Sequence, residues 1–208
     1  MFLSKLVLNP SSGFARRNFS DPYQMHRTLC SMFGDERRPE MLFRIEQLSR
    51  KSEQMRTLLQ SSEMPDFSRL PDGFLTGHET KYISDQNILD SFSQMSVYHF
   101  RLVANPIKKQ GNTKIALYKE KDHFEWIMRK ADQSGFRIEY LNMASFKLPV
   151  KKSSQPEKDD KNKFAIFGVK YDGALKITNA GLFTKAYLRG IGPSKSFGFG
   201  MLSLKNLA

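Results

Sequence analysis

A tyrosine, a histidine and an arginine share one short stretch of the chain, Asp21-Pro22-Tyr23-Gln24-Met25-His26-Arg27. Asp21 as N-cap and Pro22 at the first helical position predict a helix that starts here, and Gly34 stands just past its end. Met25, Leu29, Met32 and Phe33 make its apolar face. At about 100° per residue, His26 falls on the shoulder of that face, with Tyr23 one turn earlier and Arg27 beyond it. Arg16 and Arg17 lie in a basic stretch, Ser11 to Phe19, that reads as a loop. An imidazole titrates near neutrality and can take or give a proton. A phenol can share that transfer or orient a phosphate oxygen, and a guanidinium stabilises added negative charge. Such a set suits RNA, whose 2′-hydroxyl is a built-in nucleophile and whose cleavage needs only a base, an acid and positive charge. Taken alone, a histidine on a helix edge is more often simply half-solvated, and His26 by itself fixes no activity.

The other histidines carry less. His78 reads as part of a surface turn, His99 as a residue packed within an apolar strand, and His123 as a solvent-facing residue at a helix start. No histidine pair has metal-ligand spacing, so no metal and no cofactor are expected. A second constellation lies near the C-terminus, Gly190-Ile-Gly192-Pro193-Ser194-Lys195-Ser196-Phe197-Gly198-Phe199-Gly200. Glycine allows backbone N–H groups to approach an anion, and turned backbone makes phosphate-sized concavities. The order differs from a Walker loop, and the segment follows a helix and enters a strand, the reverse of a strand-loop-helix phosphate site. Two readings stand: an anion cradle, or a tight turn before the last strand.

The 208 residues suffice for one large or two small domains. A net charge of +12 points to a polyanionic partner. Cys30 is the single cysteine, which excludes an internal disulfide and fits a reducing cytoplasm. No segment approaches 18 apolar residues, and Met1 to Leu8 lacks the apolar core of a signal peptide, so no membrane association is expected.

The elements that must position these residues follow from periodicity and punctuation. Strands are predicted over Phe2–Leu8, Met41–Ser49 and Gln54–Ser61, the last two joined through Arg50-Lys51-Ser52-Glu53. Met64–Leu70 reads as a short helix, and residues 85–95 are ambiguous. Ser96–Asn105 is a strand ended by Asn105-Pro106, and Lys114–Tyr118 a short strand. Asp122–Gln133 is a helix with Phe124, Ile127, Met128 and Ala131 at core spacing, capped by Gly135. Phe136–Leu148 is extended, and the charged Lys151–Lys163 segment is a loop or hairpin tip. Phe164–Tyr171 and Ala174–Thr178 read as a hairpin over Asp172-Gly173. A helix over Ala180–Arg189 and a strand over Phe199–Leu204 finish the chain. The order is strand-helix-strand-strand twice, an α+β pattern of two tandem ferredoxin-like (split βαβ) domains, 1–93 and 96–208.

The chain also resembles the CasE (Cse3) family, the CRISPR-associated endoribonuclease of the type I-E Cascade complex. The resemblance runs through Phe2-Leu3-Ser4-Lys5, Asp21-Pro-Tyr23-Gln-Met-His26, Leu58-Leu59-Gln60-Ser61 with Met64-Pro65, and Phe100-Arg101-Leu102 with Ala104-Asn105-Pro106-Ile107-Lys108. It closes in Gly190-Ile-Gly-Pro-Ser-Lys-Ser196 with Gly198, Gly200 and Leu202-Ser-Leu204. It implies metal-independent cleavage of the CRISPR repeat RNA, with His26 at the family's catalytic histidine and Tyr23 at a tyrosine found in some members' sites. It also implies that the enzyme stays on the mature guide RNA and joins the other Cascade subunits. An RNA hairpin read by shape and phosphate suits a basic groove between two domains. Arg27, Arg101, Asn105, Lys108, Lys109, Gly192, Ser194, Lys195, Ser196, Gly198 and Gly200 are the expected RNA-binding residues, and Phe197 and Phe199 receive no role. A non-catalytic RNA-binding subunit and a general basic nucleic-acid chaperone remain alternatives.

Overall fold

A computed structural model describes residues 1–34, 39–46, 54–92, 95–151 and 163–206. They form two compact units. Unit 1 comprises Met1–Ile83, Pro149–Ala165 and Ser196–Gly198, and unit 2 comprises Ser84–Leu148, Ile166–Lys195 and Phe199–Ala208.

Unit 1 contains strand β1 (Phe2–Leu8), helices α1 (Gly13–Ser20) and α2 (Pro22–Ser31), and strands β2 (Met41–Glu46), β3 (Met55–Ser61) and β4 (Leu75–Tyr82). The sheet is antiparallel in the order β2-β3-β1-β4. This is the strand order of a ferredoxin-like fold, with the second helix reduced to one 3-10 turn, Phe67–Arg69. Register sets the buried face: Leu6 pairs with Thr57, which pairs with Ile45, and Leu59 pairs with Phe43. Side chains alternate along strands, so these residues line one face. Met25 and Leu29 of α2 and Ala15 of α1 are buried with Leu6, Leu8, Phe43 and Leu59 in one cluster. Each large apolar side chain so buried contributes roughly 1.5–3 kcal/mol.

Unit 2 contains α3 (Asp85–Ser91), β5 (Val97–Ala104), β6 (Ile107–Gln110), β7 (Thr113–Ala116), α4 (Glu120–Gln133), most of β8 (Phe136–Lys151) and of β9 (Lys163–Ile177), α5 (Ala180–Arg189) and β10 (Leu202–Asn206); the end of β8 from Pro149 and the start of β9 to Ala165 belong to unit 1. Its main sheet runs β10-β5-β9-β8, again the ferredoxin-like order, and β6-β7 is a separate hairpin inserted before α4. The expectation of tandem ferredoxin-like folds therefore holds.

Several local expectations are corrected. The Ser11–Phe19 loop contains α1, because Ser12 caps it by accepting from the Ala15 N–H at 3.3 Å. His78 lies in β4, not a turn, with its ring stacked on Phe67 at 3.8 Å. His99 is exposed, because Phe100, Leu102 and Ala104 take the buried face of β5. His123 is buried, its Nε2 3.0 Å from the Leu117 carbonyl. Helix α4 buries Trp126 with His123, Ile127 and Ala131, leaving Phe124 and Met128 exposed. The indole carries more apolar area than either, and it sets the rotation. The final strand starts at Leu202 because Gly198 and Gly200 hold φ of 81° and 90°, outside strand geometry. Met64–Leu70 forms only the single turn noted above. The Arg50–Glu53 connection, and all but the end residues of the Lys151–Lys163 segment, lie outside the described residues.

The hairpin expected over Asp172-Gly173 is instead a continuous strand. Asp172 faces Arg101 and Gly173 faces Phe100 across β5. Glycine is required there by close approach: a Cβ on Gly173 would lie 2.0 Å from the Tyr140 carbonyl oxygen. Gly173→Ala is accordingly expected to destabilise the fold by about 1–3 kcal/mol, the usual cost of overpacking. Urea denaturation checks this; a midpoint equal to that of the unaltered protein contradicts it.

Candidate active site and nucleic-acid interface

Helix α2 is built to present one face. The Asp21 carboxylate accepts from the Tyr23 N–H at 3.0 Å, while the Asp21 N–H donates to the Arg17 carbonyl at 3.0 Å and closes α1. The Thr28 hydroxyl donates to Asn18 Oδ1 at 2.7 Å, and Asn18, 1% exposed, donates to the Phe14 carbonyl at 2.9 Å. These bonds lock the two helices together. Pro22, Met25 and Leu29 are buried. At about 100° per residue, Tyr23, His26, Arg27 and Cys30 then share the opposite arc. Tyr23 and His26 are half-buried, and Arg27 is exposed. The Cys30 thiol lies 3.8 Å from each ring nitrogen of His26. The His26 ring also meets Phe43 at 6.1 Å, tilted 40°. A proton-transfer group, a phenol and a cation thus stand side by side on a rigid helix.

The glycine-rich segment contributes to both units. In unit 1, Phe197 stacks on Tyr23 at 6.3 Å and 29°, and meets Phe164 edge-on at 5.9 Å and 90°. Gly198, with φ 81°, sits against the buried Phe43, where a Cβ would come within 3.2 Å of the ring. Ser196 is half-buried. In unit 2, Gly192 rests on Trp126, and the Gly200 N–H donates to the Val103 carbonyl at 2.7 Å. Asn105 Nδ2 donates to the Ser194 hydroxyl at 2.9 Å, and Ser194 adopts φ 64°. Asn105 Oδ1 is buried without a hydrogen-bond partner among the described residues. Lys195 is exposed.

The remaining sequence-predicted cations differ from one another. Arg101 makes a two-pronged ion pair with Asp172, at 2.6 and 3.1 Å. Partial burial works to raise the Asp172 carboxyl, but Arg101 and Lys170 outweigh it and hold the group below the usual carboxylate range. An RNA phosphate at Arg101 must compete with that carboxylate. Lys108 and Lys109 are exposed on the β6-β7 hairpin, where Lys109 pairs directly with Lys114. Like charges opposed across strands repel, and an anion between them removes the penalty. Lys114 was missed in the sequence because the pairing depends on the two-residue turn at Gly111-Asn112, with Gly111 at φ 59°; a glycine-asparagine pair between lysine-bearing runs was the available signal. Phe197 and Phe43 had no sequence signal beyond ordinary apolar character.

Among the described residues, no three His, Cys, Asp or Glu side chains cluster so as to hold a metal ion, and no helix is long and apolar enough to cross a membrane.

Known proteins resemble this chain along its whole length. The chain is 30% identical over 217 residues to the CRISPR-associated endoribonuclease Cse3 of Thermus thermophilus, covering 98% of this chain and 99% of the relative. It is 31% identical over 225 residues to the CRISPR system Cascade subunit CasE of Escherichia coli, covering both chains completely. A structure of the endoribonuclease Cse3 bound to 19-nucleotide RNA superposes with a TM-score of 0.86 at 29% identity, over 99% of this chain and all of that one. The family model for CRISPR associated protein matches residues 1–206, and with these relatives it establishes that the chain belongs to the CasE (Cse3) family of CRISPR-associated proteins.

Proposed function

We propose that this protein is the endoribonuclease that cuts precursor CRISPR RNA beside the repeat stem-loop, stays on the mature guide RNA, and works in the cytoplasm as a subunit of a Cascade complex. The observation that carries the reading is the shared arc of α2: Tyr23, His26 and the exposed Arg27 side by side on a rigid helix. Full-length similarity to relatives named as an endoribonuclease and as a Cascade subunit supports it. The domain of residues 1–93 carries the chemistry, and that of 96–208 supplies most of the RNA grip.

The reaction follows from the substrate's own chemistry. A base removes the proton of the 2′-hydroxyl, and O2′ attacks the adjacent phosphorus in line. The bond from phosphorus to the 5′-oxygen breaks, and an acid protonates that oxygen. The products are a 2′,3′-cyclic phosphate and a 5′-hydroxyl. His26 is the acid or the base, Tyr23 assists, and Arg27 stabilises the charge that builds on the phosphorane. Lys108, Lys109, Lys114, Lys195 and the Ser194–Ser196 backbone hold phosphates of the stem, whose deep major groove hides its bases. Arg101, Asn105, Gly192, Gly198 and Gly200 shape the surfaces from which those contacts are made.

Four outcomes test this. His26→Ala slows single-turnover cleavage of repeat RNA by about 10²–10⁴-fold and leaves hairpin affinity nearly unchanged; a rate within about threefold of the unaltered enzyme removes His26 from the mechanism. A single 2′-deoxy substitution at the scissile nucleotide blocks cleavage by the unaltered enzyme, and cleavage proceeds undiminished in EDTA; activity lost to the chelator and restored by Mg²⁺ contradicts the proposed chemistry. Lys195→Ala weakens hairpin binding without lowering the melting temperature, and reduces the log–log salt slope by about 0.7–0.9. Titrations across a salt series read this out, and identical slopes would reduce the glycine-rich segment to a turn.

A further inference from the structure

Among the described residues, packing rather than hydrogen bonding holds the Tyr23 phenol. Among the described residues its hydroxyl has no hydrogen-bond partner, and its ring is met by one aromatic ring, that of Phe197. The pair is stacked at 6.3 Å and 29°, within the range in which aromatic rings attract. Phe197 is itself confined. Its ring also meets that of Phe164 edge-on, at 5.9 Å and 90°. Its backbone belongs to the turn Lys195–Phe197, bracketed by Ser194 at φ 64° and Gly198 at φ 81°. Gly198 is seated on Phe43, a residue of the buried cluster whose ring also faces His26. The ring against Tyr23 is therefore fixed by the turn behind it, and the turn is fixed by the core.

We propose that Phe197 is a positioning residue for Tyr23, holding the phenol in the orientation that the cleavage step requires. The inference rests on the reading of Tyr23 as a catalytic residue. A phenol at the end of a two-torsion side chain is free to swing unless its ring is packed, and a misplacement of about 1 Å at a reacting group can cost about 10²-fold in rate. The residue acts only through Tyr23: it carries no proton, no charge and no hydrogen-bonding atom that could touch the reacting phosphate. A bystander that merely anchors the segment would show its loss in stability or in RNA affinity instead.

The test is a double-mutant cycle on the full chain. Cleavage of repeat hairpin RNA is measured in single turnover at saturating enzyme, affinity is measured with the 2′-deoxy hairpin, and melting temperatures are recorded. Phe197→Leu is expected to slow cleavage by about tenfold to hundredfold, with affinity within about threefold. Phe197→Tyr keeps an aromatic ring and restores the rate to within about threefold. In a Tyr23→Phe background, Phe197→Leu costs less than about threefold more, because the hydroxyl it positions is already gone. Three results overturn the inference: a Phe197→Leu rate within about twofold of the unaltered enzyme, no rescue by Phe197→Tyr, or a Phe197→Leu loss that multiplies in full with Tyr23→Phe. If Tyr23→Phe alone cleaves at the unaltered rate, the role of Tyr23 falls and the positioning role falls with it. If Tyr23→Phe is slow while Phe197→Leu is not, only the role of Phe197 falls.

Discussion

The burial of Met25 and Leu29 of α2 against Leu6, Phe43 and Leu59 is the contact on which the site depends. A helix has one rotational freedom about its axis, and these two side chains remove it. Once they point into the sheet, the 3.6-residue period sends Tyr23, His26 and Arg27 the other way. The helix start is fixed independently, because Asp21 ends α1 with its backbone and caps α2 with its carboxylate. Deleting a buried leucine commonly costs about 2–5 kcal/mol. Here the more specific penalty is angular: a rotation of one residue position, about 100°, would carry His26 toward the core and Met25 toward solvent. The same core seats Gly198 on Phe43, so helix and loop are referenced to one set of side chains.

Much of this was legible in the sequence where local rules and tertiary packing agree. Asp21-Pro22 marked the start of α2, and the structure begins the helix at Pro22. The last helix was bounded at Ala180 and Arg189, where Asn179 caps one end and Gly190, at φ 76°, takes the other. The duplicated strand-helix-strand-strand order became two sheets of identical strand order. The tyrosine, histidine and arginine near the chain start were found because helical spacing alone puts them on neighbouring positions.

The rest was hidden for identifiable reasons. Strand β4 exposes much of its length, with a burial pattern that gives no apolar alternation, and it exists because β1 offers it a ladder in register from Phe2 to Val7, with a shift before Leu8. The β6-β7 hairpin is equally poor in buried residues. His123 and His99 exchanged their expected environments because burial on an amphipathic element is decided by the partner surface. His123 finds the Leu117 carbonyl inside, while His99 stands on the outward side of β5. The contact of Phe197 with Tyr23 joins residues 174 positions apart, a separation no local pattern encodes.

Net charge becomes informative once it is divided by neighbour. Lys5 is engaged by Glu79, Arg69 by Asp66, and Arg101 with Lys170 by Asp172. Exposed pairs of this kind add little stability, but they remove cations from the pool available to a polyanion. Arg27, Lys108, Lys109, Lys114 and Lys195 have no carboxylate within ion-pair distance among the described residues. They lie on the outward arc of α2, on a hairpin that carries two lysines directly opposed, and in the turn next to Phe197. A protein selected only for solubility gains nothing from opposing two lysines in register, since the repulsion works against its own hairpin. Under the proposed function the opposition has a physical rationale, because the same proximity that repels in the free protein concentrates positive potential that a phosphate would meet. The cations without a carboxylate partner among the described residues are thus divided between the units: unit 2 carries them on the β6-β7 hairpin and at Lys195, and unit 1 holds the exposed Arg27 beside His26 on one helix.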